Sequence, residues 1–272
     1  MRTHSSDRTS ANTSAQTSAH TSANTSAHTS AHTGAQTNHS SGLPRVSRRT
    51  LLKASAYVGL MPLGALTALA ADSPAPNAIA PAEALKRIMA GNARYVGGNM
   101  VTHDFASGRA ARSQAQYPIA SILSCADSRV APELAFDQGQ GDLFVARVAG
   151  NVLTPTVLAS LEYATQFLGV PLILVLGHTG CGAVDATIKV VQDQAVLPGH
   201  LPALAEKIRP AVEAAEKETS GSLLANACAE NVRQQVALLK QASPIVSKSY
   251  ADKKIDIVGA LYNLPTGQVT PV

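Results

Sequence analysis

Pro171-Leu172-Ile173-Leu174-Val175-Leu176-Gly177-His178-Thr179-Gly180-Cys181 is the stretch on which the fold turns. Five aliphatic residues run on without a polar one between them, so the segment has no inside–outside alternation. A strand covered on both faces, in the middle of a parallel sheet, has that signature. Two shorter apolar runs precede it, Ile119–Leu123 and Leu143–Val148, and a fourth, Ile255–Tyr262, comes near the end. Between the second and third runs, Thr154-Pro155 has the form of a helix start, a capping hydroxyl followed by proline in the first turn. Leu158, Leu161, Tyr163, Ala164 and Phe167 give that helix an expected apolar side. Strand, helix, strand in this order predicts an α/β fold with a central, mainly parallel sheet flanked by helices. Upstream, Ala84-Leu85, Ile88-Met89 and Ala93 recur at helical spacing from Pro81 onward. Gly91 is expected to break that run mildly and Gly97-Gly98 to stop it.

The same stretch ends in chemistry. His178 and Cys181 follow the central strand, and Cys125 follows the first strand in Ser124-Cys125-Ala126-Asp127-Ser128-Arg129. Both groups fall where strands end, the edge at which open α/β sheets carry their ligand sites. Two sulfurs and an imidazole suit a tetrahedral zinc ion, and three protein ligands leave a fourth position open, as catalytic zinc sites do. A structural zinc knuckle more often has two close ligand pairs. Here one close pair meets a single distant cysteine. Asp127 and Arg129 add a carboxylate and its natural partner within reach of the open position.

The rest of the 272-residue chain bounds this reading. Residues 9–36 repeat Thr-Ser-Ala-His/Asn/Gln, with no large apolar side chain to bury. Residues 1–46 therefore read as a disordered low-complexity leader, although five of the eight histidines lie there. Ser47-Arg48-Arg49-Thr50-Leu51-Leu52-Lys53, a modest apolar run and Ala68-Leu69-Ala70 make residues 47–70 a twin-arginine signal peptide. An uncleaved membrane anchor is the alternative. The signal predicts a periplasmic or secreted protein delivered by the twin-arginine export machinery, which could load its metal before meeting an oxidising compartment. Residues 71–80 read as a linker and 81–272 as the zinc domain. The formal charge of +4 belongs to the leader. Six of the 22 basic and one of the 18 acidic residues precede residue 71, so the remainder is near neutrality. With four Phe, six Tyr and no Trp, nothing suggests a nucleic-acid surface. Three cysteines, an odd count, argue against a disulfide framework, and Cys228 is expected to be buried packing.

Ser124–Val130 and Gly177-His178-Thr179-Gly180-Cys181-Gly182 together resemble the zinc signature of the β-class carbonic anhydrases. Gly91–Tyr95, Asp142–Asn151 and Val258–Gly267 extend the resemblance over most of residues 81–272. It implies one Zn²⁺ per chain and reversible hydration of carbon dioxide to bicarbonate and a proton by attack of zinc-bound hydroxide. It also implies an N-terminal helical arm that packs on a partner subunit, in a homodimer or a multiple of dimers. It gives Asp127 two roles. Paired with Arg129, it orients the reacting water; released, it becomes a fourth metal ligand in a closed state. Gln116, in Gln116-Tyr117-Pro118, matches a glutamine that donates to bicarbonate. His103 and His200 are candidate proton shuttles, with exposed loop histidines as the plainer account, and Asp185 reads as a solvated acid. Without tryptophan, the second bicarbonate site of some bacterial members is not expected. Two other functions fit the same ligands: hydrolysis of carbon disulfide or carbonyl sulfide, and a non-catalytic zinc-binding protein.

Overall fold

A computed structural model of the chain describes residues 74–272. The expected leader, 1–46, and the expected twin-arginine segment, 47–70, lie outside the described residues. Five strands form one sheet: β1 (Ala120–Ser124), β2 (Leu143–Arg147), β3 (Leu172–His178), β4 (Asp256–Tyr262) and β5 (Val269–Pro271). Their order is β2-β1-β3-β4-β5, with the first four parallel and β5 antiparallel to β4. All four predicted strands are present. The helices are α1 (Pro81–Val96), α2 (Arg109–Arg112), α3 (Pro132–Ala135), α4 (Pro155–Phe167), α5 (Gly182–Asp193), α6 (Leu201–Ala215), α7 (Leu223–Gln241) and α8 (Ile245–Ala251). Among the described residues no helix is long and apolar enough to cross a membrane.

Strand periodicity divides the core. Leu172, Leu174 and Leu176 of β3 face one layer with Ala84 and Ile88 of α1 and Phe136 beyond α3. Ile173 and Val175 face the other, with Leu161 of α4, Val232 and Leu239 of α7 and Val246 of α8. Because both faces are covered, β3 is buried at every residue, which is why it had no alternation to read.

Several local expectations are corrected. Gly91 does not break α1, which runs on to Val96. The glycine is there for proximity: a Cβ would stand 1.7 Å from the Phe136 carbonyl oxygen. Next to it, Asn92 Nδ2 donates to the carbonyls of Ala135 (2.8 Å) and Gly267 (2.9 Å), and its Oδ1 accepts from Val269 N–H (2.9 Å). One buried amide thus joins α1, α3 and the C-terminal strand. On α4, Thr154 caps as expected, accepting from Val157 N–H at 3.3 Å. Only Leu161 and Ala164 are fully buried there. Tyr163 and Phe167 are 47% and 73% exposed and stack toward Phe144 of the edge strand β2. The described part of the expected linker is pinned down, since Asn77 is buried and donates to the carbonyls of Pro118 and Leu168. Helix α1 rests on the chain's own sheet through Ala84 and Ile88, so only its other faces are left for a partner.

Candidate metal centre

The order β2-β1-β3 makes the gap between β1 and β3 a switch point, where the chain turns first to one side of β1 and later to the other. Ser124 pairs with Leu176 in register, so Cys125 emerges beside Gly177 and His178. Thr179 fixes the second loop. Its N–H donates to Tyr262 O at 3.0 Å, and its hydroxyl accepts from Leu264 N–H at 3.1 Å. Cys181 then stands as the N-cap of α5, where the helix end favours a negative sulfur. The N–H groups of Ala183 and Val184 lean toward that sulfur without closing a full cap bond.

The ligand atoms of Cys125, His178 and Cys181, all buried, lie within 4.8 Å of one another. The two sulfurs are 4.0 Å apart. Thiolates at about 2.3 Å from a tetrahedral zinc would be separated by roughly 3.8 Å. His178 Nδ1 is engaged with Thr179 O at 3.0 Å, which makes it the protonated nitrogen and leaves Nε2 with its lone pair free. Nε2 is buried and makes no hydrogen bond. An orphaned imidazole nitrogen facing two sulfurs is what a metal would satisfy, so these residues fit the ion.

Electrostatics agree. Cys125 is pulled down to about 4, first by hydrogen bonding from Cys181 and then by His178 and the N–H groups of Asp127 and Gly150, against burial. Cys181 is pushed up, first by its hydrogen bond with the Cys125 sulfur and then by burial. Burial alone would lower His178, but interaction with the Cys125 sulfur outweighs it and the net direction is upward.

Asp127 stands at the rim. Arg129 grips it with a two-pronged fork, Nε to Oδ1 at 2.9 Å and Nη2 to Oδ2 at 2.7 Å, and adds its own N–H at 3.0 Å. The guanidinium holds the carboxyl well below the usual range. Asp127 Oδ2 is 3.8 Å from His178 Nε2, so the structure has the arginine-held arrangement, and Asp127 is not in the three-member ligand cluster. Arg147, read from sequence only as part of the second apolar run and of the Asp142–Asn151 stretch, secures this loop from behind. It donates to Cys125 O at 3.0 Å and to Asp127 O at 2.6 Å. Its signals were a charge inside an apolar run and its place in the Asp142–Asn151 stretch. Gly150 was also missed as a donor; its N–H reaches Cys125 Sγ at 3.3 Å.

Gln116 is not brought to this centre. It precedes β1, at the amino end of the sheet, and lines a cleft of about 810 Å³ with Arg109, Arg112, Tyr117 and Asp142. His103 is no free loop histidine: it is half-buried, with Nε2 3.2 Å from Asp137 Oδ1. His200 is exposed, just ahead of α6. Asp185 pairs with Lys189 at 2.7 Å on the surface, and Cys228 is buried, both as expected.

Comparison with known proteins gives a consistent result. Residues 120–269 match the family model described as carbonic anhydrase. A carbonic anhydrase of Mycolicibacterium smegmatis is 40% identical over 190 residues, 70% of this chain and 92% of that protein. Carbonic anhydrase 2 of Mycobacterium tuberculosis is 39% identical over 194 residues, covering 69% and 91%. Among solved structures, that of the β-carbonic anhydrase CcaA superposes with a TM-score of 0.53 at 28% identity, over 69% of this chain and 94% of that one.

Proposed function

The chain belongs to the β-carbonic anhydrase family, and from that premise we propose that it hydrates carbon dioxide reversibly to bicarbonate and a proton at a zinc ion held by Cys125, His178 and Cys181. The observation that carries the reading is the orphaned His178 Nε2 beside two converging sulfurs. Zinc bound there supplies a Lewis acid that makes water a usable nucleophile near neutral pH.

The remaining work falls to the chain's own groups. His178 keeps its proton on Nδ1, against Thr179 O, and offers Nε2 inward. Asp127, an acceptor only while ionised, takes a hydrogen bond from the reacting water and so aims a lone pair at carbon dioxide. Arg129 keeps Asp127 ionised and out of the ligand set; an Arg–carboxylate fork is directional enough to do both. Arg147 holds the backbone from which Cys125 and Asp127 project. Stopped-flow hydration of carbon dioxide by the zinc-loaded protein tests the proposal. Fast turnover supports it, whereas one zinc per chain with no turnover would point to the sulfur-containing substrates or to a silent zinc binder.

Gln116 bears on assembly. Since it lies at the opposite end of the sheet from Cys125, it can donate to bicarbonate only at the centre of another copy, so the active unit we propose is a dimer or a multiple of dimers. Export through the twin-arginine machinery, with cleavage after Ala70, is proposed from Arg48-Arg49 and the Ala68-Leu69-Ala70 site. Replacing both arginines by lysine should trap the protein in the cytoplasm; unchanged periplasmic appearance would sink that idea.

A further inference from the structure

Cys125 does not depend on its own loop alone. The N–H that reaches its sulfur belongs to Gly150, in the tight 3₁₀ turn Ala149–Asn151 that follows β2. Gly150 has φ +68° and ψ +14°, and a side chain there would meet Ile208 of α6 at 2.7 Å. Glycine is the residue whose backbone directions are least fixed by its own sterics. Something else must therefore aim that N–H, and the structure supplies it from a distant helix.

Asn231 of α7 donates through Nδ2 to Gly150 O at 2.8 Å. Its own Oδ1 accepts from Gln235 Nε2, one helical turn on, at 3.2 Å. Gln235 Oε1 accepts from Leu153 N–H at 2.7 Å. Both side chains are buried, 1% and 2% exposed. Two amides in series on α7 thus grip the chain at Gly150 O and again at Leu153 N–H, fixing the peptide that directly follows the one facing the sulfur and a second one two residues further on. Buried amides are costly unless every group is used, and in this pair the donors and acceptors named here are used where they direct the turn.

We propose that Asn231 and Gln235 are positioning residues of the metal centre. Through the Ala149–Asn151 turn they hold the Gly150 N–H on the Cys125 sulfur, and so set how firmly that sulfur binds the ion and how much charge it donates. A hydrogen bond to a thiolate withdraws density from it, and groups outside the ligand set commonly change metal affinity by about 10–100-fold. The inference rests on the reading of Cys125 as a metal ligand.

The test uses the full chain loaded with cobalt in place of zinc, reading the sulfur-to-cobalt charge-transfer absorption and, separately, the zinc dissociation constant. Asn231→Leu and Asn231→Asp both remove the donor to Gly150 O. Each should move the charge-transfer band to lower energy and weaken zinc binding by about 10–100-fold. Gln235→Met, which keeps length and removes the amide, should move both in the same direction by less, and it serves if the Asn231 variants fail to fold. Leu239→Ala on the same helix is the control for stability alone: it should lower Tm and leave the band where it was. Asn231 and Gln235 variants that fold and match the wild-type band and zinc affinity would overturn the proposal. A wild-type protein with no sulfur-to-cobalt band would overturn the ligand reading itself, a result distinct from the first.

Discussion

In the proposed reaction, Asp127 is where ligand chemistry and catalytic geometry compete for one side chain. Its carboxylate sits 3.8 Å from His178 Nε2, close enough to be drawn into the ligand set, and three hydrogen bonds from Arg129 hold it back. Asp127→Ala should keep one metal per chain and lose most carbon dioxide turnover, whereas Cys125→Ser or His178→Ala should lose metal and turnover together. Metal analysis of the purified variants beside stopped-flow assays separates the two classes, and metal lost from Asp127→Ala would make that carboxylate a ligand. A second carboxylate, Asp137, does structural work. It is buried at φ +48°, and besides His103 it meets Arg94 Nε and accepts from Val101 N–H. Burial would raise its pKa, but these partners outweigh burial and the net shift is downward. A depressed folded pKa contributes stability above the unfolded carboxylate value of about 3.9, and that contribution is lost as pH falls toward the folded value. Asp137→Asn should therefore cost about 1–3 kcal/mol at pH 7, with the gap to wild type narrowing near pH 3. Urea unfolding at the two pH values reads it directly; an equal gap at both would assign the cost to shape rather than charge.

Elements were legible where one residue pattern sufficed and illegible where distant backbone set the requirement. Leu172–Leu176 and Thr154-Pro155 declare a buried strand and a capped helix start by themselves, and both are found. β5 has three residues and no run, so only its pairing with β4 makes it a strand. Asn92 looks like an ordinary helix residue until its partners appear 43, 175 and 177 positions away. The Cys125, His178 and Cys181 cluster was readable because a metal site calls for particular residue types. Arg147, Asn231 and Gln235 were not, because each serves a backbone group, and a backbone group leaves no letter in the sequence. Gly91 belongs to the illegible kind: by propensity alone Gly91→Ala should strengthen α1 by about 0.5–1 kcal/mol. The structure predicts the reverse. The new methyl would collide with rigid backbone at Phe136, an overpacking that costs about 1–3 kcal/mol or more. A lower Tm for Gly91→Ala bears out the packing account, and a higher one would mean that α1 stands further from α3 than described.

At the scale of the molecule, the placement of Gln116 sets how many chains the proposed site needs. A parallel sheet has two ends, and the chain puts Cys125, His178 and Cys181 at one and Gln116 at the other. A glutamine that acts on bicarbonate must then come from another copy, and mixed oligomers can test this without a structure of the assembly. Gln116→Ala leaves a chain with an intact metal centre and nothing to give its partner. Asp127→Ala leaves a chain with a damaged centre and an intact glutamine to give. Each variant alone should be nearly inactive. When the two are refolded together, a mixed dimer contains one centre with both lesions and one with neither. Random pairing makes half the dimers mixed and restores about a quarter of wild-type turnover, given a two-fold interface. If Gln116 served its own chain, every centre would carry one lesion and mixing would restore nothing. The two results differ by the whole of the recovered activity, so the experiment distinguishes a shared site from a private one even where the variants retain some residual turnover.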